Sequence, residues 1–583
     1  MILKALADYY DRMLGDDEMD VAPPGFEKKA IPFLIVINPH GRFVNILDTR
    51  TGEGKNKTAR EFLVPQGAKK TAGIKANLFW DNPQYVLGVS KGGSQKMWDL
   101  QRAEDSRSAF IKRIEEIFGQ ESDIEALKAM QHFLAGNDFS QVFAHALWNE
   151  ISESNANLTF ILEGENKLIV QNTEIVRQII DLSKPSGKVQ TCAVSGIEDA
   201  PAILHTAIKG VWGAQTSGAN IVSFNNESFC SFNKWKKQGL NAPISQKCEF
   251  GYTTALNTML ARGSRQRMQV GDASTVFWAQ ENHPFEEDFS CFLGEPPKGE
   301  EPDYGKIRAL LNAIKTGVLP AEDHMPFYVL GLAPNAARIA IRFWYEGTVS
   351  DLKQKIALHF NDIEMVRAPH DREFLSLFQL LVSTATEGKA DKISSNLGGE
   401  VARAVLGGTA YPRTLLAGAV RRCKAEQKVT HARAAVIKGF LVRESRITGK
   451  KIKEVQMALD KTNDNIGYVL GRLFAVLERV QEQAQSGLNK TIRDTYFGSA
   501  SSSPLVTFKR LQDLVIHHLA KIRNAGKNTK WLEMLIQEVM GKIPAHGIPA
   551  TLLLDDQGRF AVGYYHQRQD FFTKQENKTK GDE

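Results

Sequence analysis

Cysteine is sparse in this 583-residue chain, and no two of its five cysteines form a Cys-x-x-Cys pair. Cys192, Cys230, Cys248, Cys291 and Cys423 lie far apart, which fits reduced thiols and argues against a disulfide framework or a zinc ribbon. Long apolar runs are missing too: nothing approaches the roughly eighteen consecutive apolar residues of a membrane span. The opening segment reads as an amphipathic helix carrying Lys4 and Asp8, not as a secretory signal, so the expectation is a cytoplasmic protein with no membrane partner. A phosphate-binding loop is also absent. Gly52-Glu53-Gly54-Lys55 and the stretch Gly88–Lys96 contain glycine and lysine, but neither has the GxxxxGK[ST] spacing. The adjacent pair His517-His518 points two ways on a helix and has no acidic partner one turn on. Glu286-Glu287-Asp288 gathers charge, yet nothing near it completes a two-metal site. These absences leave no catalytic residue, metal or cofactor to nominate, and they point to binding without catalysis.

What is present is an ordinary globular composition, 42% hydrophobic and 24% charged, with length for about two to four domains. The net charge of +6, from 73 basic and 67 acidic residues, is mild, so its distribution decides what it means. From Arg42 to Trp80 there are eight basic and three acidic residues, a net of +5. Within it, Lys55, Lys57 and Arg60 form one basic segment, and Lys69, Lys70 and Lys75 surround the small residues Thr71, Ala72 and Gly73 in a second. Lysines neutralise phosphates, glycine lets a backbone approach a ligand, and Thr71 and Asn77 offer hydrogen bonds. The same residues also suit a solvated surface loop leading into a core strand, with Phe79 and Trp80 packed beneath it. From Arg403 to Lys453 thirteen basic residues meet only two acidic ones, a net of +11 on helical patterns. Helix faces normally mix charge signs, so this segment predicts a polyanion nearby. Arg403, Arg413, Arg421, Arg422, Lys424, Arg433, Lys438, Arg443 and Arg446 are the candidates for backbone contact. Two weaker signals are the interleaved Lys234-Trp235-Lys236-Lys237 beside the glycine-rich Gly210–Asn226, and a basic cluster at Lys509, Arg510, Lys521, Arg523, Lys527 and Lys530.

The periodicities predict an amphipathic helix over Ile2–Leu14 and a hairpin of Phe33–Ile37 and Phe43–Leu47 around Asn38-Pro39-His40-Gly41. Helical spacing dominates from Ser106 to about Gly136, and Leu158–Leu162 with Leu168–Val170 reads as a second hairpin. The acidic, proline-rich Gly294–Tyr304 is a linker candidate, followed by strands at Tyr328–Leu332 and Arg338–Tyr345. After about Gly347 strands nearly vanish. The expected fold is therefore α+β: a mixed region with hairpins over 1–346, a basic helical region over 347–456 and an all-α bundle over 457–583.

Several segments carry a family resemblance: the opening MILKALADYYDRM, PPGFEKKAIPF from Pro23, GRFVNILDTRTGEGKNKTAREFLVPQ from Gly41, and PQGAKKTAGIKANLFWDNPQYVLGV from Pro65. Later come FYVLGLAPNAARIAIRFW (Phe327–Trp344), GRLFAVLERVQEQA (Gly471–Ala484), NKTIRDTYFGSASSSPLVTFKRL (Asn489–Leu511) and GRFAVGYYHQRQDFF (Gly558–Phe572). Together they closely resemble the large subunit of the type I-C CRISPR interference complex, Cascade, along essentially the whole chain. The resemblance implies a non-catalytic subunit that recognises the protospacer-adjacent motif in double-stranded DNA, promotes R-loop formation and holds the displaced strand. Its implied partners are a guide-RNA ribonucleoprotein with repeated backbone subunits and an RNA-processing subunit, and a helicase–nuclease that docks and cuts. Lys55, Lys57 and Arg60 would grip phosphates; Lys69, Lys70, Thr71, Gly73, Lys75 and Asn77 would sit at the base pairs, with Phe79 wedged or packed behind. The last part of the chain resembles the small helical subunit of such complexes, also made from an internal start. Met457 stands where that start would lie, which a C-terminal tag on the native gene tests. A nuclease or RNA-processing enzyme, and a single-strand-binding scaffold without motif preference, are the alternatives.

Overall fold

The computed structural model describes residues 2–16, 21–54, 57–68, 73–90, 96–183, 189–232, 234–295, 304–316, 324–450, 454–485, 487 and 489–579. It is α+β, and it divides into two compact units. One comprises Leu6–His205 and Ser223–Ala255; the other comprises Met1–Ala5, Thr206–Val222 and Leu256–Glu583.

The first unit is built on Phe33–Ile37, five apolar residues all buried. A strand with no polar alternation must be covered on both faces, and here it is the centre of a three-stranded sheet. Phe43–Asp48 pairs with it antiparallel, as the hairpin reading predicts, with Ile35 opposite Ile46. On its other edge Leu158–Leu162 pairs parallel, Phe33 opposite Leu158. The turn between the first two strands is held by Asn38, whose Oδ1 accepts the N–H groups of His40 and Arg42, both at 3.0 Å. The predicted second hairpin does not form. Leu168 makes a single bridge to Ile161, and the chain then turns into a short 3₁₀ helix at Ile169–Gln171. Ile169 and Val170 are both buried in that turn. A separate antiparallel ribbon joins Phe26–Ala30 to Glu61–Pro65, and a two-residue ribbon pairs Arg50–Thr51 with Thr58–Ala59. Helices at Met97–Phe118 and Glu125–Ala135 bury residues at helical spacing, Ala103, Ser106, Phe110 and Ile114 in the first of them.

The second unit contains a four-stranded antiparallel meander of Arg267–Val270, Ala273–Ala279, Pro326–Asn335 and Arg338–Thr348. Both strands predicted near Tyr328 and Arg338 lie in it, Leu330 opposite Trp344. No strand follows Thr348 among the described residues. Helices Ile466–Ala484 and Leu554–Thr579 then cross almost backbone to backbone: a Cβ at Gly471 would lie 2.0 Å from the Phe560 carbonyl oxygen, and one at Gly563 2.2 Å from that of Tyr468. Only glycine permits that approach. One hydrophobic core runs from Met268 through Tyr565, so the boundaries expected at 346 and 456 fall inside it. A change from strand to helix along the chain is not a change of core, because the sheet packs against the helices that follow it. Most of the proline-rich linker candidate lies outside the described residues.

Candidate nucleic-acid interface

The first basic loop closes the small ribbon after Phe43–Asp48. Lys57 and Arg60 are exposed, and the Arg60 guanidinium lies 5.1 Å from the centre of the Phe62 ring. Lys55 lies outside the described residues. Arg50, counted in the same charge excess, is a fastener: it bonds Asp48 at 2.7 Å and Glu150 at 2.5 Å and stacks 4.4 Å over Phe33. Its hydrogen bonds hold the Asp48 carboxyl below its usual range.

The second basic loop leaves the far end of strand Glu61–Pro65, five residues or about 17 Å along. Its base is pinned from the interior. Asn77 is 4% exposed, its Oδ1 accepts the Ala68 N–H at 2.9 Å and its own N–H donates to Asp81 Oδ2 at 2.9 Å. The Trp80 indole donates to the Pro65 carbonyl at 2.8 Å, the Gly67 N–H to Glu27 at 2.8 Å, and Arg113 to the Ala76 carbonyl. Burial lowers the Arg113 pKa. From this base the loop carries Gly73, exposed at φ +73° with open space where a Cβ would be, and Lys75, also exposed. Lys69, Lys70 and Thr71 lie outside the described residues.

Two nominated residues lie in the interior. Asn77 is a buried clamp and does not sit at the surface. Phe79 is 1% exposed, meets Phe118 edge-on at 5.5 Å, and accepts the Thr159 hydroxyl on its carbonyl at 2.9 Å. It holds φ +66°, a conformation costly for a bulky residue and tolerated where packing over-determines it. Packing beneath the loop, the alternative weighed for Phe79 and Trp80, describes both.

The helical segment departs further from the expectation of uncompensated charge. Arg443 is fully buried, lies 3.1 Å from Asp362, and stacks 4.4 Å over Tyr411. Arg446 bonds the same carboxylate with both nitrogens at 2.7 Å. Lys438 is buried and donates to the backbone carbonyls of Asn361 and Asp362 at 3.1 and 2.8 Å, and burial lowers its pKa. Arg433, 5% exposed, bonds the carbonyls of Ser383 and Lys428 and the Glu426 carboxylate. Arg433, Lys438 and Arg443 are thus corrected: their charges are consumed inside the fold. Arg413 pairs with Asp555 at 2.8 Å, Arg422 approaches Glu426 at 3.7 Å, and Lys424 bonds Gln557 at 3.3 Å. Arg403 and Arg421 are exposed without an ion-pair partner among the described residues. In the weaker cluster Lys509, Arg510, Lys521, Arg523, Lys527 and Lys530 are exposed, with Arg523 paired to Glu533 at 2.7 Å. Asp362 and Asp555 lie in helices far along the chain from the charges they neutralise, so a count over one window of sequence carries no signal of them.

No group of three or more histidine, cysteine or carboxylate side chains among the described residues could hold a metal. In the acidic trio, Glu286 accepts the Ala279 N–H at 2.6 Å, Asp288 pairs with Lys306 at 2.5 Å, and Glu287 lies 3.9 Å from Arg265. Among the described residues no helix is long and apolar enough to cross a membrane.

Fold and surface together define a large α+β protein that displays basic loops on a buried scaffold. The chain belongs to the family described as CRISPR-associated protein (Cas_Csd1), which matches residues 6–572. It is the family of the type I-C Cascade large subunit, a structural subunit of that complex. No curated protein matches the chain.

Proposed function

We propose that this Cascade subunit recognises the motif flanking the target in double-stranded DNA, at the loop between Ala68 and Asn77, with Lys57 and Arg60 gripping phosphate beside it. The observation that carries the reading is Lys75, exposed on a loop whose two ends are tied by the buried Asn77. A pinned loop that carries the exposed Gly73 suits minor-groove contact, where readout is coarse and shape matters. The phosphate grip supplies affinity without sequence information. Duplex opening, retention of the displaced strand and docking of a helicase–nuclease complete the role, and cleavage belongs to that partner. The guide RNA, in a cytoplasmic ribonucleoprotein, reads the target by base pairing, a division of labour known in a related single-protein effector.

The test is binding of the assembled complex to matched duplexes that differ only in the flanking motif, at two salt concentrations. Lys69→Ala, Lys70→Ala and Lys75→Ala together are expected to abolish the preference for the motif-bearing duplex. An equal fall in affinity for every duplex would reduce these lysines to a phosphate grip, and the reader would lie elsewhere.

A further inference from the structure

A second aromatic and basic stretch lies in the first unit, in a part of the chain remote in sequence from the loops assigned above. Phe232 is 91% exposed, the most exposed large apolar side chain among the described residues. Its backbone stands at φ +54°, in the left-handed region. Phe229, three residues earlier, is 52% exposed. Folding alone explains neither feature of Phe232: a phenyl ring in water contributes nothing to a core, and a left-handed bulky residue is strained. The turn that displays it is nonetheless well tied. Asn241 accepts the Ser231 N–H on its Oδ1 at 3.0 Å and donates from Nδ2 to the carbonyls of Gln238 at 2.8 Å and Lys234 at 3.4 Å. The Lys234 N–H returns to the Ser231 carbonyl at 3.1 Å, and the Lys234 ammonium donates to the Leu240 carbonyl at 3.2 Å. The ring is therefore held out by a structured turn. Strain and exposure maintained together point to a ligand.

The chemistry of that ligand follows from the neighbours. Lys234, Lys236 and Lys237 follow Phe232 within five residues, against one carboxylate, Glu227, shortly before it. Protein–protein interface cores are rich in aromatics but depleted in lysine. Aromatics interleaved with lysine suit single-stranded nucleic acid, whose bases offer π faces and whose phosphates offer charge. We propose that Phe232, supported by Phe229, is a stacking site for unpaired nucleobases, in a lysine-rich stretch of sequence whose net charge favours a strand's phosphates. A paired duplex hides its base faces, so the site selects strands already opened. The inference rests on the reading that this subunit works on nucleic acid, but not on where the flanking motif is read.

The experiment measures affinity of the assembled complex for a labelled oligothymidylate of about 16 nucleotides that does not pair with the guide. The motif preference on duplex targets is measured in parallel. Phe232→Ala is expected to weaken single-strand binding roughly ten-fold, Phe232→Leu to weaken it similarly, and Phe232→Trp to restore it, all with unchanged melting temperature and motif preference. Failure of the motif-reading proposal would appear instead as a motif preference indifferent to the Lys69, Lys70 and Lys75 substitutions. Unchanged single-strand affinity in Phe232→Ala overturns the stacking site. So does a defect confined to cleavage by the helicase–nuclease, which would make the turn a protein-docking surface, and so does a wild-type complex that does not bind the oligothymidylate.

Discussion

Lys75 and Arg443 both sit in stretches of strong positive excess, +5 over Arg42–Trp80 and +11 over Arg403–Lys453, and their environments are opposite. Lys75 stands in solvent on a loop whose anchor is buried beneath it. Arg443 is fully buried against Asp362. The larger excess is the more thoroughly consumed, because helices Val349–Ile363 and His431–Thr448 pack together and bring Asp362 to meet Arg443 and Arg446. A carboxylate at 2% exposure needs its counter-charge in the interior. Excess charge in a sequence window thus measures demand for anions, which the fold itself can meet.

The comparison breaks most sharply at Asp362. Asp362→Ala leaves Arg443 buried without its carboxylate and is expected to cost about 3–5 kcal/mol, read as a lowered urea midpoint. Arg421→Ala, at an exposed position of the same basic stretch, should stay within about 0.5 kcal/mol. Equal effects would mean that Asp362 is not the anchor of this charge.

Acid sharpens the contrast from the helical side. Burial first, and the neighbouring Arg443 second, push His359 down to about 3; burial and Lys438 push His566 to about 3. Their ordinary value is 6.5, so between these limits the unfolded chain takes up the protons and is favoured. This stability is complete above pH 6.5 and drains as pH falls toward 3, by up to about 1.4 kcal/mol per pH unit for each histidine. Urea unfolding from pH 7 to pH 5, followed by helical circular dichroism, should show that slope, and His359→Gln with His566→Gln should flatten it. An unchanged slope would remove these histidines from the account.

The smallest effect is expected on the loop side. Asn77→Ala frees the Ala68 N–H and loosens the loop base at a cost of about 1–2 kcal/mol. Faster hydrogen exchange at Ala68, with weakened motif preference and retained salt-dependent affinity, would mark Asn77 as a positioning residue. Loss of affinity for every duplex without faster exchange would contradict that role.

Much of the fold is legible in local pattern. The run Phe33–Ile37 followed by Asn38-Pro39-His40-Gly41 announces its hairpin, and the change from alternating to helical spacing near Thr348 announces the helical half. The parallel partner Leu158–Leu162 and the ribbon of Phe26–Ala30 with Glu61–Pro65 are not legible, since nothing in either segment specifies a strand so far along the chain. The candidate site divides the same way. Lysines at 57 and 75 and the glycine at 73 are visible as a basic, small-residue pattern, whereas the left-handed backbone of Phe79 and the inward turn of Asn77 depend on what packs beneath them.

By itself the sequence determined the α+β class, the positions of the basic stretches and the family, because spacing, composition and ordered motifs are properties of neighbours along the chain. Tertiary structure alone decided which of those charges face solvent and which compact unit each strand joins. An ion pair such as Arg413 with Asp555, or a carbonyl of helix 554–579 in near contact with Gly471, exists only once distant helices have packed.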